Sequence, residues 1–430
     1  MSDRVRDRLR VIVLGSTGSV GTQTLEVIAH LNTLHARGEH DRGYKVVGLA
    51  AGRNVESVIH QALTHGVEHV AIAELHDDAR TAIEASLPGV TKRSGTDAAV
   101  ELVEEVEADM VVAAIVGVAG LPATLRAVEL GRDVVLANKE TLVAAGELVV
   151  QTAARFGASL LPIDSEHAGV WQCLVPRSVT PDEAAAIRPP LRAGDDVIRV
   201  TLTASGGAFR DLPDDQLDDA PPEAALKHPT WDMGAKVTVD SASLTNKALE
   251  LIEAHWLFGL GADRLDAVIH PTSTIHALAQ FADGSVIAHL GDPDMRTPIQ
   301  CALTWPSRAA GLSTALDLLA LPRLEFSAID PQRYPAIPAA FAVIEQGGTT
   351  GAVFNAANER TVEAYLAGAA RFADVRRLPI AAIDAVGASA ANDLTDVMAA
   401  DAEARRFVDA ELGVSSVAPT AQRRTISPAR

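Results

Sequence analysis

Cysteine is scarce in this chain. Cys173 and Cys301 are the two present in 430 residues, with no Cys-x-x-Cys spacing. No disulfide framework or cysteine-built zinc site is implied. A reducing compartment fits, and the cytoplasm is expected. Aromatic residues are also few, at 4 %, while Ala, Val, Leu and Gly are plentiful. That balance favours an α/β protein with close helix–sheet packing over a β-sandwich. Positive charge is outnumbered, with 37 Lys and Arg against 56 Asp and Glu, a formal net charge of -19. Such a chain repels nucleic acid and anionic lipid in bulk, so neither is expected as a partner. An anionic substrate would have to meet a local basic site against the global field. No run of about 18 apolar residues occurs, so no membrane span is expected. Residues 1–10 are charged and lack the apolar core of a signal peptide.

What remains is an ordinary globular composition, 48 % apolar and 22 % charged, long enough for two or three domains. Short apolar runs at 11–14, 46–50, 70–73, 110–115 and 134–136 alternate with helical stretches. They read as buried parallel strands of right-handed βαβ units, hence an N-terminal Rossmann-like, doubly wound sheet over residues 1–164. The rhythm changes near 165. A Pro- and acid-rich stretch, 176–196, reads as a loop with one short helix. Blocks at 201–210, 228–259 and 268–306 are rich in His, Ser, Asn and Trp and mark a central α/β domain, 165–303. From about 312 to 412 the chain is Ala/Leu-rich and reads as helical. A linker at 304–329 and a C-terminal helical domain at 330–412 are expected, then a polar, basic tail at 413–430 expected to be disordered.

Three sets of residues carry chemistry. Gly15, Thr17, Gly18, Ser19, Val20 and Gly21 follow the first strand and open a helix. Such a turn lets the backbone approach a pyrophosphate at a helix N-terminus, although a tight turn without a ligand needs the same glycines. The second strand ends at Gly52-Arg53-Asn54. Arg53 stands where NAD-binding domains usually carry an acid, which suits the 2′-phosphate of NADPH; the alternative is a solvated surface arginine. Asn138 and Lys139 follow the fifth strand, where open sheets bind ligands, and Glu140 is either a contact there or a helix-start carboxylate.

Asp164 and Glu166 are two apart at the end of an apolar run. In an extended segment they face one side, where two carboxylates call for a cation or a proton. Glu250 is expected to complete an oxygen-donor site for Mg²⁺ or Mn²⁺. It lies on a helix read as starting near Ser241 or Ser243 with a serine N-cap, four residues after Asn246 and on the same face. Glu253 is left open as a supporting acid or a surface charge. Ser241, Asn246 and Lys247 near that helix start are phosphate partners in kind. The turn 203–208, with Ser205, offers another anion cradle. His228, Thr230, Trp231, Met233 and Gly234 read as a loop able to close over a ligand, or as a loop whose Trp is permanently packed. His270 and His276 are taken as core or interface residues, and the two cysteines as packing residues.

The blocks GSTGSVG, AGRN, LANKE, PIDSEH, LTASGGAFR, HPTWDMGAKVTVDSASLTNKALE, IEAHWLFG, HPTSTIHALAQFADGS, GDPDMRTPI and GAVFNAANE occur in that order. Together they closely resemble the 1-deoxy-D-xylulose 5-phosphate reductoisomerase family. The resemblance implies a three-domain, V-shaped homodimer in the cytoplasm, using NADPH and a divalent cation, Mg²⁺ or Mn²⁺, on a sugar phosphate. It implies a pyrophosphate loop of Thr17, Gly18, Ser19 and Val20 and a 2′-phosphate reader of Gly52, Arg53 and Asn54. Asn138, Glu140 and Gly234 are implied as further cofactor contacts, and Asp164, Glu166 and Glu250 as metal ligands. Substrate binding is implied for Lys139, Ser165, Ser205, His228, Ser241, Asn246 and Lys247, and a closing flap for Trp231 and Met233. Departures are small: Arg53, Ala204, Thr230 and Asp232 stand where some members differ. The competing readings are another NADPH oxidoreductase on the same architecture and a non-enzymatic cofactor sensor. A thioester-forming dehydrogenase needs an activated Cys, and neither cysteine has an evident partner base in its segment.

Overall fold

The computed structural model describes residues 8–175, 183, 186–231, 233–321 and 323–414. Residues 1–7, most of 176–185, Asp232 of the flap and the tail from 415 lie outside the described residues, and with them the expectations for the two termini and for part of the 176–196 loop.

Apolar runs buried on both faces build the first sheet. Its strands are β1 (Leu9–Leu14), β2 (Tyr44–Ala51), β3 (His69–Ile72), β4 (Thr91–Ser94), β5 (Met110–Ala113), β6 (Asp133–Leu136) and β7 (Leu160–Pro162). All pair in parallel, in the order β4-β3-β2-β1-β5-β6-β7. Val11, Ile12, Val13 and Leu14 have no exposed surface, as a central parallel strand requires. Strand order reverses between β1 and β5, which opens a crevice at their carboxyl ends. Two of the seven strands are additional to the five read from apolar runs. Strand β4, Thr-Lys-Arg-Ser, is a polar edge strand with no apolar run to signal it. Strand β7 has three residues and coincides with the short apolar run that leads into Asp164.

The second sheet contains β8 (Val197–Ala204), β9 (Leu265–Ile269), β10 (Ile275–Phe281) and β11 (Val286–Leu290). Its order is β11-β10-β8-β9, with β8–β9 parallel and the other pairs antiparallel. Val200, Leu202, Ala277 and Ala279 are buried on one face, against the helices Ser165–Leu174 and Thr245–Phe258. The helices Ala336–Gln346, Thr350–Leu366, Phe372–Val386 and Leu394–Leu412 follow. The helical reading from about 312 is corrected: residues 305–335 carry no helix among those described. Pro306, Pro331 and Pro335 each lack the N–H that a helix interior needs.

The serine-capped helix is corrected as well. There are two helices, Ala235–Ala242 and Thr245–Phe258, separated by Leu244 in the left-handed region at φ 56°. Leu244 is the N-cap position and makes no side-chain cap. Instead Ser243 Oγ accepts the Thr245 N–H at 3.3 Å. The bend aims both helix ends at the crevice, a result that spacing along the chain does not encode.

Candidate active site

A cleft of about 1870 Å³ lies between the carboxyl edge of the first sheet, the second sheet's helices and the helix Thr350–Leu366. On the cofactor side, the Gly15 turn has φ +78°, and a Cβ there would meet the Ala114 carbonyl oxygen at 2.3 Å. Glycine thus lets β1 turn hard against β5 and start the helix Ser19–Ala36 at the cleft, which Gly18, Ser19 and Val20 line. Arg53 lines it too. Its one ion pair among the described residues, to exposed Glu74 at 3.5 Å, costs little to give up.

The other expected cofactor contacts divide into exposed or half-exposed residues at the rim, Thr17, Gly52 and Asn54, and buried ones, Asn138 and Glu140. Thr17 and Gly52 do not line the cleft. Asn54 caps the helix Val55–His65, accepting the Ser57 N–H at 3.1 Å. Asn138 is 2 % exposed. It accepts the Thr141 N–H at 3.0 Å and donates to the Gly117 carbonyl at 2.9 Å, fixing the loop after β5. Glu140 is buried and paired with Lys236 at 2.8 Å.

The acidic centre is assembled from three elements. Asp164 is not part of an extended segment with Glu166. It is the N-cap of the helix Ser165–Leu174, with Glu166 in the first turn. The i, i+2 strand geometry is therefore corrected, and the convergence comes from a helix start, where backbone dipoles favour negative charge. Glu250 arrives from the helix Thr245–Phe258. Carboxylate oxygens of Asp164, Glu166 and Glu250 lie within 4.8 Å of one another. Lys139, opening the helix Lys139–Phe156, ion-pairs with Asp164 and, at 2.8 Å, with Glu250. Lys247 pairs with Glu166 at 2.6 Å and with Glu250. Asn246 donates to Glu250 and accepts from Lys139 at 2.9 Å.

Burial opposes the Glu250 carboxylate, but Lys139 and Lys247 outweigh it and bring its pKa to about 2. Asp164 is raised instead, by burial first and despite Lys139, with Glu250 and Glu166 adding to the rise. The three oxygen-donor groups fit a hard divalent ion, and Lys139 and Lys247 place positive charge where such an ion would sit.

Behind this centre, Glu253 is fully buried, which settles its open reading against a surface charge. His167 Nε2 donates to the Glu250 carbonyl at 2.8 Å, leaving Nδ1 to face Glu253 at 3.2 Å. Burial first, then Asp164, raises the Glu253 pKa well above the carboxylate range, and burial lowers that of His167. Neither Nδ1 nor the Glu253 oxygens has a hydrogen-bond partner among the described residues, and a neutral Glu253 beside a neutral His167 avoids burying a charge.

The third cluster surrounds His228. Its Nδ1 accepts the Thr230 and Trp231 N–H groups at 3.1 and 2.8 Å, so Nε2 carries the proton. That Nε2 lies 2.9 Å from Ser205 Oγ and 3.1 Å from Ser241 Oγ. One ring therefore links the start of the flap to two hydroxyls from separate elements. A Cβ at Gly207, φ +67°, would meet the Ser241 carbonyl at 2.3 Å, which is why the turn 205–207 ends in glycine. Trp231 and Met233 line the cleft, Trp231 6.5 Å from the His276 ring, with Gly234 as N-cap of the next helix.

Burial lowers the His228 pKa to about 4, with Arg210 adding, and burial followed by Lys247 does the same to His276. A histidine with a depressed folded pKa contributes stability above its ordinary value of 6.5, and this is lost as pH falls towards 4. Melting temperature should therefore drop over that window, and His228→Asn should flatten the drop. An unchanged slope in the variant would remove His228 as a cause.

Several cleft residues were not singled out in the sequence. Lys236 follows the flap with no motif of its own. Asp292, Asp294 and Met295 come from the loop before the helix Arg296–Thr304, and Glu359, Val362 and Leu366 from the C-terminal helix Thr350–Leu366. The GDPDMRTPI and GAVFNAANE blocks contain several of them, but nothing local assigns them to a site built from residues far earlier in the chain.

Fold and site define an enzyme of the dinucleotide-dependent class with a carboxylate cation centre. Family models described as 1-deoxy-D-xylulose 5-phosphate reductoisomerase match residues 11–146, and its C-terminal domains match 160–258 and 290–407. The chain is 43 % identical over 406 residues to the reductoisomerase of a Synechococcus sp., covering 93 % of this chain and 97 % of that one. It is 44 % identical over 400 residues to that of Gloeobacter violaceus, covering 93 % and 96 %. The chain belongs to the 1-deoxy-D-xylulose 5-phosphate reductoisomerase family. Among solved structures, the Zymomonas mobilis reductoisomerase in complex with NADPH aligns with TM-score 0.81 and 37 % identity, covering 94 % of this chain and 99 % of that one. A reductoisomerase in complex with NADPH, fosmidomycin and magnesium aligns with TM-score 0.83 and 33 % identity, covering 94 % and 98 %.

Proposed function

We propose that this chain converts 1-deoxy-D-xylulose 5-phosphate to 2-C-methyl-D-erythritol 4-phosphate, oxidising NADPH, in the non-mevalonate route to isopentenyl diphosphate. The observation that carries the reading is the convergence, in one cleft, of the glycine loop, the carboxylates Asp164, Glu166 and Glu250, and the Ser205–His228–Ser241 cluster. Residues 1–164 are taken as the cofactor domain, 165–303 as the catalytic domain, 304–329 as linker and 330–412 as the helical domain.

Asp164, Glu166 and Glu250 would hold Mg²⁺ or Mn²⁺, whose chemistry there is Lewis-acid polarisation of the substrate carbonyl. NADPH, when bound, supplies the hydride that reduces the branched aldehyde left by the skeletal rearrangement. The chain's own residues do the rest. Gly18, Ser19 and Val20 present backbone to the pyrophosphate, and Arg53 takes the 2′-phosphate. Thr17, Gly52 and Asn54 join them at the exposed rim, buried Asn138 and Glu140 shape that surface from behind, and Gly234 borders it. Lys139 and Lys247, relieved of neutralising the carboxylates by a cation, are the groups left to take substrate oxygens. Ser205, His228, Ser241, Asn246 and Lys247 hold the phosphate, with Ser165 beside the metal carboxylates. Because His228 also holds the Thr230 and Trp231 N–H groups, phosphate binding at Nε2 biases the flap directly. A closed Trp231 and Met233 would exclude water from the reduction.

The decisive assay is NADPH oxidation with 1-deoxy-D-xylulose 5-phosphate, with and without Mg²⁺ or Mn²⁺. Cation-dependent oxidation to the methylerythritol phosphate is expected. Folded, NADPH-binding protein that oxidises nothing would overturn the activity and leave the cofactor domain standing.

We also propose a homodimer, working in the cytoplasm, where NADPH and sugar phosphates are kept. No helix among the described residues is long and apolar enough to cross a membrane. The second sheet leaves one face bare: Leu278 lies opposite Thr201 and Ala288, and Val286 and nearby Phe326 are 54 % and 47 % exposed. A second copy covering that face supports the reading. Light scattering should give twice the chain mass, and Leu278→Lys should shift it towards the monomer; a monomeric wild type would end the proposal.

A further inference from the structure

Two neighbouring residues on the C-terminal helix Thr350–Leu366 reach opposite sides of the cleft. Glu359 Oε1 accepts the Val118 N–H at 3.1 Å, in the loop after β5. The same oxygen accepts from Asn355 at 3.0 Å, and Arg405 holds Oε2 at 2.6 Å, so the carboxylate is aimed rather than solvated. The loop it holds turns at Gly117, φ +78°, where a Cβ would stand 2.9 Å from Glu359 Oε1. Val116 in this loop is 63 % exposed and lines the cleft.

Asn358 faces the other way. Its side chain has no exposed surface and donates to Asp240 Oδ1 at 2.9 Å. Asp240 in turn holds Lys236 at 2.8 Å, two residues after Gly234 at the end of the flap. Lys236 also pairs with Glu140 at 2.8 Å. Asp240 and Glu140 are 1 % and 4 % exposed, so losing a partner here leaves buried charge uncompensated.

We propose that Glu359 and Asn358 are positioning residues of the active site, the first setting the cofactor-side loop 115–118 and the second the carboxyl end of the flap. The helical domain is then a bracket that spaces the two walls. This rests on the cofactor and substrate reading above.

The bracket separates the two ligands. Glu359→Ala should raise the NADPH dissociation constant, read by fluorescence titration of the full-length protein, about tenfold, and leave the KM for 1-deoxy-D-xylulose 5-phosphate within about twofold. Asn358→Leu should do the reverse, raising that KM about tenfold and the NADPH dissociation constant severalfold less, since its chain of partners reaches the cofactor side only through Lys236 and Glu140. Glu359→Gln keeps a carbonyl oxygen for the Val118 N–H and should restore NADPH binding. Should the alanine variant not fold, Glu359→Asp keeps the charge for Arg405, is too short to serve both partners, and should show the same split. Both ligands weakened equally, or neither weakened, in the folded variants would overturn the bracket. Wild-type protein that binds no NADPH would sink the cofactor reading and the bracket together, whereas normal wild-type binding with unsplit variants sinks the bracket alone.

Discussion

Glu250→Gln should cut turnover about a thousandfold and leave NADPH affinity within about twofold. The substitution preserves shape and removes one charge from a side chain that is 1 % exposed. That charge is held on by Lys139 and Lys247, which keep the Glu250 pKa near 2 against the cost of burial. Without it, Lys139 keeps Asp164 and Lys247 keeps Glu166, so each lysine retains one carboxylate partner. The backbone carbonyl that receives His167 is also untouched. What is lost is one of the three carboxylates able to share a divalent cation, and with it the polarisation on which the rearrangement depends. The glycine loop belongs to β1 and its following helix, so cofactor binding has no reason to follow. Steady-state kinetics beside a fluorescence titration of NADPH decides the matter. Equal losses in both would assign Glu250 a structural role.

Gly351→Ala should destabilise the protein by about 3 kcal/mol, one methyl group's effect at a backbone contact. A Cβ at Gly351 would lie 1.9 Å from the carbonyl oxygen of Val143. The obstacle is main chain of the helix Lys139–Phe156, which leaves helical geometry at Ala145, φ -140°, beside the contact. No rotamer change relieves such a clash. Either the helix Thr350–Leu366 moves away or the helix that carries Lys139 does. Because one of them opens at Lys139 and the other bears Glu359, the loss of stability should be accompanied by weaker NADPH binding. Denaturant unfolding followed by two probes would measure the first, and an unshifted midpoint would show that the helices can separate at no cost.

These two positions differ in how far the chain alone reveals them. Glu250 was legible: it lies one helical turn after Asn246 in a long block, and its carboxylate, with Asp164 and Glu166, suggests a cation to anyone counting charge. Gly351 was not, since its requirement comes from a residue more than 200 positions earlier. The same division recurs elsewhere. Gly15 sits between an apolar strand and a helix, and that local order predicts its turn. Strand β4 is polar and β7 is brief, so neither announces itself by periodicity. The Asp164–Glu166 pair was expected for the wrong geometric reason, a strand instead of a helix start, because both backbones place those carboxylates near one another.

By itself, then, the sequence determined what short-range chemistry can encode. This comprises the alternating strands and helices of the first sheet, the glycine turn, the residue types of the cation and phosphate clusters, and the family through ordered blocks. Only the tertiary structure decided which groups meet. Leu244 in the left-handed region swings one helix against another, Lys236 joins Glu140 to Asp240, His167 faces Glu253, and the C-terminal helix supplies Glu359 to the cleft. The reason is physical: backbone propensity and burial pattern act over a few residues, whereas a buried charge selects its partner by the cost of having none, and that partner can lie anywhere in the chain.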